Sequence, residues 1–188
     1  GLVTLTATIT DKDLDTDSET ISIGSNLNFE DDGPFINLTQ VAEPTLTVDE
    51  TLLGTNDSAS FAGKFTSGYG ADGAGTLVYT LSVSAAGAIS GLTDVATGEG
   101  VFLFLESGEV VGRHGTSAAD ATANGAIVFK VTVSGSTVTL DQQRAVTHPD
   151  KTNHDDSVSL TSDGLVTLTA TITDKDLDTD SETISIGS

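Results

Sequence analysis

Five acids at alternate positions carry the clearest chemical signal in the sequence. They are Asp11, Asp13, Asp15, Asp17 and Glu19, and they recur as Asp174, Asp176, Asp178, Asp180 and Glu182. A loop that gathers such carboxylates on one side offers an all-oxygen site to a hard cation such as Ca2+, which takes about six to eight oxygens. The spacing is not that of an EF-hand, because Thr16 stands where the sharp-turn glycine belongs and strand patterns flank the loop. A solvated acidic hairpin tip is the alternative. A second set, Glu30, Asp31 and Asp32, runs into Gly33 and Pro34. Proline there favours a stiff, extended joint, which acids could brace around calcium; an ordinary polar turn is the alternative. Asp49 with Glu50, Asp72 in GADG, and Asp150 with Asp155 and Asp156 are weaker candidates.

Other chemistries find little support, and no enzyme is expected. His114, His148 and His154 could contribute to a triad on paper, but neither a G-x-S-x-G elbow nor an H-E-x-x-H helix occurs. Carboxylate pairs suit glycoside hydrolysis, yet two Tyr and no Trp leave little aromatic surface for stacking a sugar. Arg113 and Arg144 are isolated bases, expected to pair with nearby acids rather than to build a site.

Strands must hold these acids. Val3, Leu5, Ala7 and Ile9 alternate with threonines, the period-two pattern of a half-buried strand. Leu77 to Val83 and Ile127 to Val133 repeat it, with Lys130 and Thr132 outward in the latter. Shorter stripes pair Val138 with Leu140, Val158 with Leu160, and Ile21 with Ile23, while the apolar run Val101 to Leu105 suggests a central strand. Turn-rich stretches at Ser67 to Gly75, Gly98 to Gly100 and Gly112 to Asn124 separate them, and Ala118 to Ala123 allows one helical turn. Many short strands with Gly, Asn and Asp turns predict an all-β fold, an immunoglobulin-like β-sandwich with additional strands. Asp11 to Glu19 share the parity of the core-facing Val3 to Ile9. A strand that simply continued would drive carboxylates into an apolar core, so the chain is expected to leave the sheet near Asp11 and return before Ile21.

Composition narrows the partners. Twenty-eight acids against seven bases give a net charge of −21, which excludes nucleic acid and disfavours insertion at an anionic membrane. The alternating β-branched runs speak against a disordered acidic tail. With no cysteine, divalent metal is the available staple. Residues 1–25 recur unchanged at 164–188, which predicts a tandem array of long, self-sufficient units. The expected division is 1–30, the last strands of a preceding repeat with its linker, and 31–188, one complete repeat whose partners are its neighbours. The sequence opens inside a strand pattern, as a piece cut from a longer chain would.

DDGP at 31–34, LTVDET at 46–51, GADGAGTLVYTLSVS at 70–84, SGLTDVATGE at 90–99, TLDQQRAVTHPD at 139–150 and LVTLTATITDKDLDTDSETISIG at 165–187 resemble the tandem repeats of giant type I-secreted, RTX-type bacterial adhesins. The resemblance implies an extracellular, calcium-ordered extender that projects a distal ligand-binding region from the cell surface, in adhesion and biofilm formation. A calcium-dependent glycan- or protein-binding module within such an adhesin is the alternative. Those repeats carry D-x-D-G-D where this chain has Leu14 and Leu177 at the glycine position, and their glycine-rich nonapeptides are absent.

Overall fold

A computed structural model describes residues 1–187. The chain divides into two compact units, Gly1–Asp32 and Gly33–Ser188. The first is a hairpin of β1 (Thr4–Thr10) and β2 (Thr16–Ser22), in which Thr4 faces Ser22 and Thr10 faces Thr16. Every residue of both strands is exposed.

The second unit carries eleven strands: β3 (Phe35–Leu38), β4 (Asp57–Ser60), β5 (Phe65–Gly68), β6 (Ala74–Val83), β7 (Ala88–Thr93), β8 (Gly100–Glu106), β9 (Glu109–Gly115), β10 (Ile127–Ser134), β11 (Thr137–Gln142), β12 (Val166–Asp174) and β13 (Thr179–Ser185). Its single α-helix among the described residues is α1 (Ala118–Asn124), capped by the Ser117 hydroxyl on the Asp120 N–H. Strands β7 to β11 follow one another across a six-stranded sheet, with β4 added beyond β11. Tight turns keep that meander short: Ser107 and Gly108 both take positive φ between β8 and β9, as the twist of a two-residue hairpin requires. The order β13-β12-β6 makes a three-stranded sheet, and β3 pairs with β5.

One apolar cluster joins the sheets, with Leu81, Leu168 and Ile184 from the three-stranded sheet and Leu103, Val110 and Val138 from the six-stranded one. The all-β, sandwich-like fold expected from the alternation is therefore what the chain adopts. Val101 and Leu103 lie fully buried in β8, an interior strand of its sheet.

Three local expectations need correction. Gly112–Gly115 is not turn but the end of β9: the Phe129 ring lies against Gly112 so closely that a β-carbon there would collide with it. Val158 and Leu160 sit in an irregular segment, partly buried against the core without joining a sheet. The stripe at Val3 to Ile9 forms a strand as expected, yet it faces solvent, whereas its repeat at Val166 to Ile172 is buried.

Candidate metal centre

Strand β12 keeps its alternation through Ile172 and carries Asp174 inside, where it is 1% exposed. The chain thus leaves the sheet after the first acid of this set, not at it. The ladder to β6 slips at this point: Thr173 faces Thr76 while Asp174 faces Ala74, leaving Gly75 as the extra residue of a bulge. Gly75 passes so close to the carbonyls of Thr173 and Asp174 that any β-carbon would strike them. Asp174 Oδ1 accepts the Asp178 N–H at 2.8 Å, and the Asp178 carbonyl accepts the Asp174 N–H at 3.1 Å. These bonds close a five-residue loop in which Leu177 takes φ 84°. Leucine thus adopts the left-handed backbone that glycine reaches without strain, so the loop keeps its shape without the glycine.

Asp174 Oδ2 is buried and meets no hydrogen-bond donor among the described residues. A buried carboxylate with one oxygen left unpartnered in this way is costly unless a cation reaches it. Oxygens of Asp174, Asp176 and Asp178 lie within 4.8 Å of one another. Two oxygens bound at about 2.3–2.6 Å to one calcium ion are at most about 5 Å apart, so the donor set fits. Asp72, in the turn before β6, places a carboxylate oxygen within the same 4.8 Å of Asp176, and its Oδ2 is likewise buried and unpartnered. From the sequence alone Asp72 is one of the weaker candidates. The glycine-flanked turn GADGAG immediately before a strand was the signal that could have raised it.

Asp180 and Glu182 are not brought to this cluster. They lie on β13, opposite Ile172 and Ala170. Asp180 Oδ2 instead accepts the Ile36 N–H at 2.9 Å, and its Oδ1 accepts the Ser181 N–H at 2.8 Å, tying β3 to β13.

In the first copy Asp11, Asp13 and Asp15 also gather within 4.8 Å, but all three are exposed. Asp11 Oδ1 accepts the N–H groups of Asp13 and Asp15 at 3.2 and 2.9 Å. A hydrogen bond with the Asp13 side chain, followed by these backbone donors, holds the Asp11 carboxyl below its usual range. Leu14 repeats the left-handed turn at φ 76°. Asp17 and Glu19 stand on β2 opposite Ile9 and Ala7, and Glu30, Asp31 and Asp32 are exposed in an irregular stretch after the hairpin.

Residues 45–187, about three quarters of the chain, match the family described as Domain of unknown function (DUF5801). The chain belongs to that family. No curated protein and no solved structure matches it. The DUF5801 span takes in Asp72 and the loop from Asp174 to Asp178, and it leaves out the hairpin β1–β2.

Elsewhere in the DUF5801 domain the polar groups brace the scaffold. Arg144 donates to both oxygens of the fully buried Asp94 at 2.8 and 2.9 Å, and Arg113 grips Glu106 at 2.7 and 2.9 Å. Both arginines thus pair with acids, as expected of isolated bases. The Arg144 guanidinium, assisted by the Thr97 hydroxyl and N–H, holds the Asp94 carboxyl well below the usual carboxylate range. His114 Nδ1 meets Glu99 at 2.7 Å while its Nε2 accepts the Ala126 N–H at 3.1 Å. Glu50 Oε1 accepts the Val146 N–H at 2.6 Å and faces His148 Nε2 at 3.3 Å. The weaker acidic candidates serve turns: Asp49 accepts the Thr51 N–H, Asp150 accepts from Thr152, and Asp156 accepts the Asp150 N–H.

Proposed function

We propose that the chain is a calcium-stabilised structural repeat, an extender unit of a large secreted bacterial adhesin that holds a distal ligand-binding region away from the cell surface. The observation that carries this reading is Asp174, a carboxylate 1% exposed whose second oxygen meets no donor, set beside Asp176 and Asp178 at metal-ligand spacing. The carboxylates of Asp72, Asp174, Asp176 and Asp178 would hold the ion, which would neutralise an acidic cluster at the end of the three-stranded sheet. With a net charge of −21, self-repulsion works against compactness. A cation bound only by the folded form stabilises that form by mass action. In calcium-poor cytosol such a chain stays loosely folded for export, and it sets once outside.

The unchanged recurrence of 1–25 at 164–188 supports the array: 31–188 is one repeat and 1–30 the end of the one before. An interior filled by Val, Leu, Ile and Phe from each sheet of the larger unit suits a spacer better than a ligand-binding cleft. Thermal unfolding of the full chain in calcium, magnesium and chelator tests the proposal. Calcium should raise the midpoint most and magnesium less, since magnesium sheds water reluctantly. A melting curve indifferent to chelator refutes it.

A further inference from the structure

Strand β6, at ten residues the longest among those described, stands at the edge of its sheet. β12 pairs with it along one side, and no described strand pairs with the other. Such an edge offers a row of unpaired N–H and C=O groups to an extended segment, and folded sheets blunt it with charge, proline, short length or a covering loop. The other edges of the larger unit are blunted in these ways. Asp180 and Glu182 lie on β13 and Asp57 on β4. Strands β3 and β5 have four residues each, and the Thr161 N–H bonds the Ser90 carbonyl on β7. Strand β6 has none of these devices. It lies in the longest uncharged stretch of the sequence, Gly73 to Thr93, which also lacks proline, in a chain of net charge −21. The strands before and after it are seated elsewhere, β5 against β3 and β7 against β8. The side chains along this edge are incompletely covered: Leu77 faces Ile172, yet Ile172 is 0% exposed and Leu77 36%.

We propose that β6 pairs with β6 of a second copy of this chain, antiparallel and edge to edge, about a two-fold axis at Val78. The strand is self-complementary in that register. Thr76 meets the partner's Thr80, Leu77 meets the partner's Tyr79, and Val78 meets its own equivalent. A two-fold centred on a residue keeps the alternation of the two strands in step, so threonine and valine share the outer face while leucine and tyrosine share the inner one. Threonine pairs and aromatic–aliphatic pairs are among the cross-strand contacts that stabilise a ladder. Charge also selects this occupant. Two copies of net charge −21 repel over most of their surface and meet at least cost where neither presents a carboxylate, whereas a charged peptide gains nothing from an uncharged edge.

The contact is isologous and closes at two copies. One strand from each copy buries less than the roughly 1,200 Å² of a stable complex, so the dimer forms only at high protein concentration. On the extender reading, arrays lying side by side would repeat the contact and gain avidity. The pairing itself requires neither the array nor the metal.

Sedimentation of the full chain from micromolar to millimolar concentration tests this. The parent should pass from monomer to dimer and no further, and added salt should strengthen the association by screening two acidic chains from each other. Val78→Lys gives the edge the charge it lacks and should weaken dimerisation by about tenfold or more, with the melting midpoint unchanged. Thr183→Lys, on β13, should dimerise as the parent does. The chain has no cysteine, so Val78→Cys gives a covalent check. Directly opposed residues of antiparallel strands lie about 4.5–5.5 Å apart at Cα, within disulfide reach. Under mild oxidation Val78→Cys should link into dimers faster than Thr183→Cys, and mixed Thr76→Cys and Thr80→Cys chains should give the heterodimer in preference to either homodimer. The proposal is overturned if the parent stays monomeric at millimolar concentration or if Val78→Lys dimerises as the parent does. A dimer that salt dissociates, or a Val78→Cys chain that links no faster than Thr183→Cys, overturns it equally.

Discussion

Asp174→Asn tests the metal reading, because asparagine keeps an oxygen to accept the Asp178 N–H while the buried Oδ2 becomes an uncharged amide nitrogen that cannot ligate calcium. Extracellular modules bind calcium at about 10⁻⁴–10⁻³ M, so calcium at about 10 mM lies roughly 10–100 times above the dissociation constant. The folded state then gains about 1.4–2.7 kcal/mol. For a domain of this size that corresponds to roughly 3–11 °C in the unfolding midpoint. The variant should forfeit most of this gain. In chelator the sign changes: the parent buries a carboxylate oxygen with no partner, and relieving it leaves the variant within about 1 kcal/mol of the parent or above it. The assay is urea or thermal unfolding of both proteins in calcium and in chelator, read as a difference of differences. Asp11→Asn, the same change in the same local sequence, should leave the unfolding of the larger unit unaltered, since Asp11 is exposed. Equal losses by Asp174→Asn in both media would show that the carboxylate is not a ligand and would refute the reasoning.

Leu168→Ala should cost about 3–5 kcal/mol, the range for a buried leucine, while Leu5→Ala should cost less than about 0.5 kcal/mol; denaturant midpoints of the two proteins measure the contrast. Asp94→Asn strands Arg144 and should destabilise by about 3–5 kcal/mol. The folded Asp94 carboxyl titrates below the unfolded value of about 3.9, so its contribution is whole above that pH and is lost as pH falls toward the folded value. Parent stability should therefore drop more steeply below about pH 4 than that of Asp94→Asn, as acid unfolding curves would reveal. Gly112→Ala drives a methyl into the Phe129 ring and should cost about 1–3 kcal/mol, with the largest chemical-shift changes expected on β10.

Local pattern carried the strands. The alternation at Val166 to Ile172, Leu77 to Val83 and Ile127 to Val133 each became a strand, because pleated backbone puts every second side chain on one face. What alternation does not convey is whether a neighbour arrives. Val3 and Val166 have identical local sequences, and only the second has β6 alongside. Asp174 was expected outside the sheet because a carboxylate of core parity is costly there. The bulge at Gly75 and the loop closed by Asp178 keep it in, and both depend on residues distant in the chain. Asp72 and Asp94 stayed inconspicuous for the same reason: each gains meaning from a partner that only folding brings near. Gly112 misled in the opposite direction, since a glycine read as a turn serves as the mid-strand floor beneath an aromatic ring.

The Ile36 N–H bonded to Asp180 also settles how the larger unit would bear load. It places the start of β3 beside the first turn of the hairpin β12–β13, whereas the chain runs out past Ser185 at the far end of β13, about 20 Å away at 3.3 Å per residue. A pull applied to residues 33 and 187 would then run along β13. Its seven paired positions with β12 would be loaded together in shear, not peeled apart one after another from an end. A unit strung in that manner resists stretching through its whole ladder at once, and rupture becomes a single high-force event.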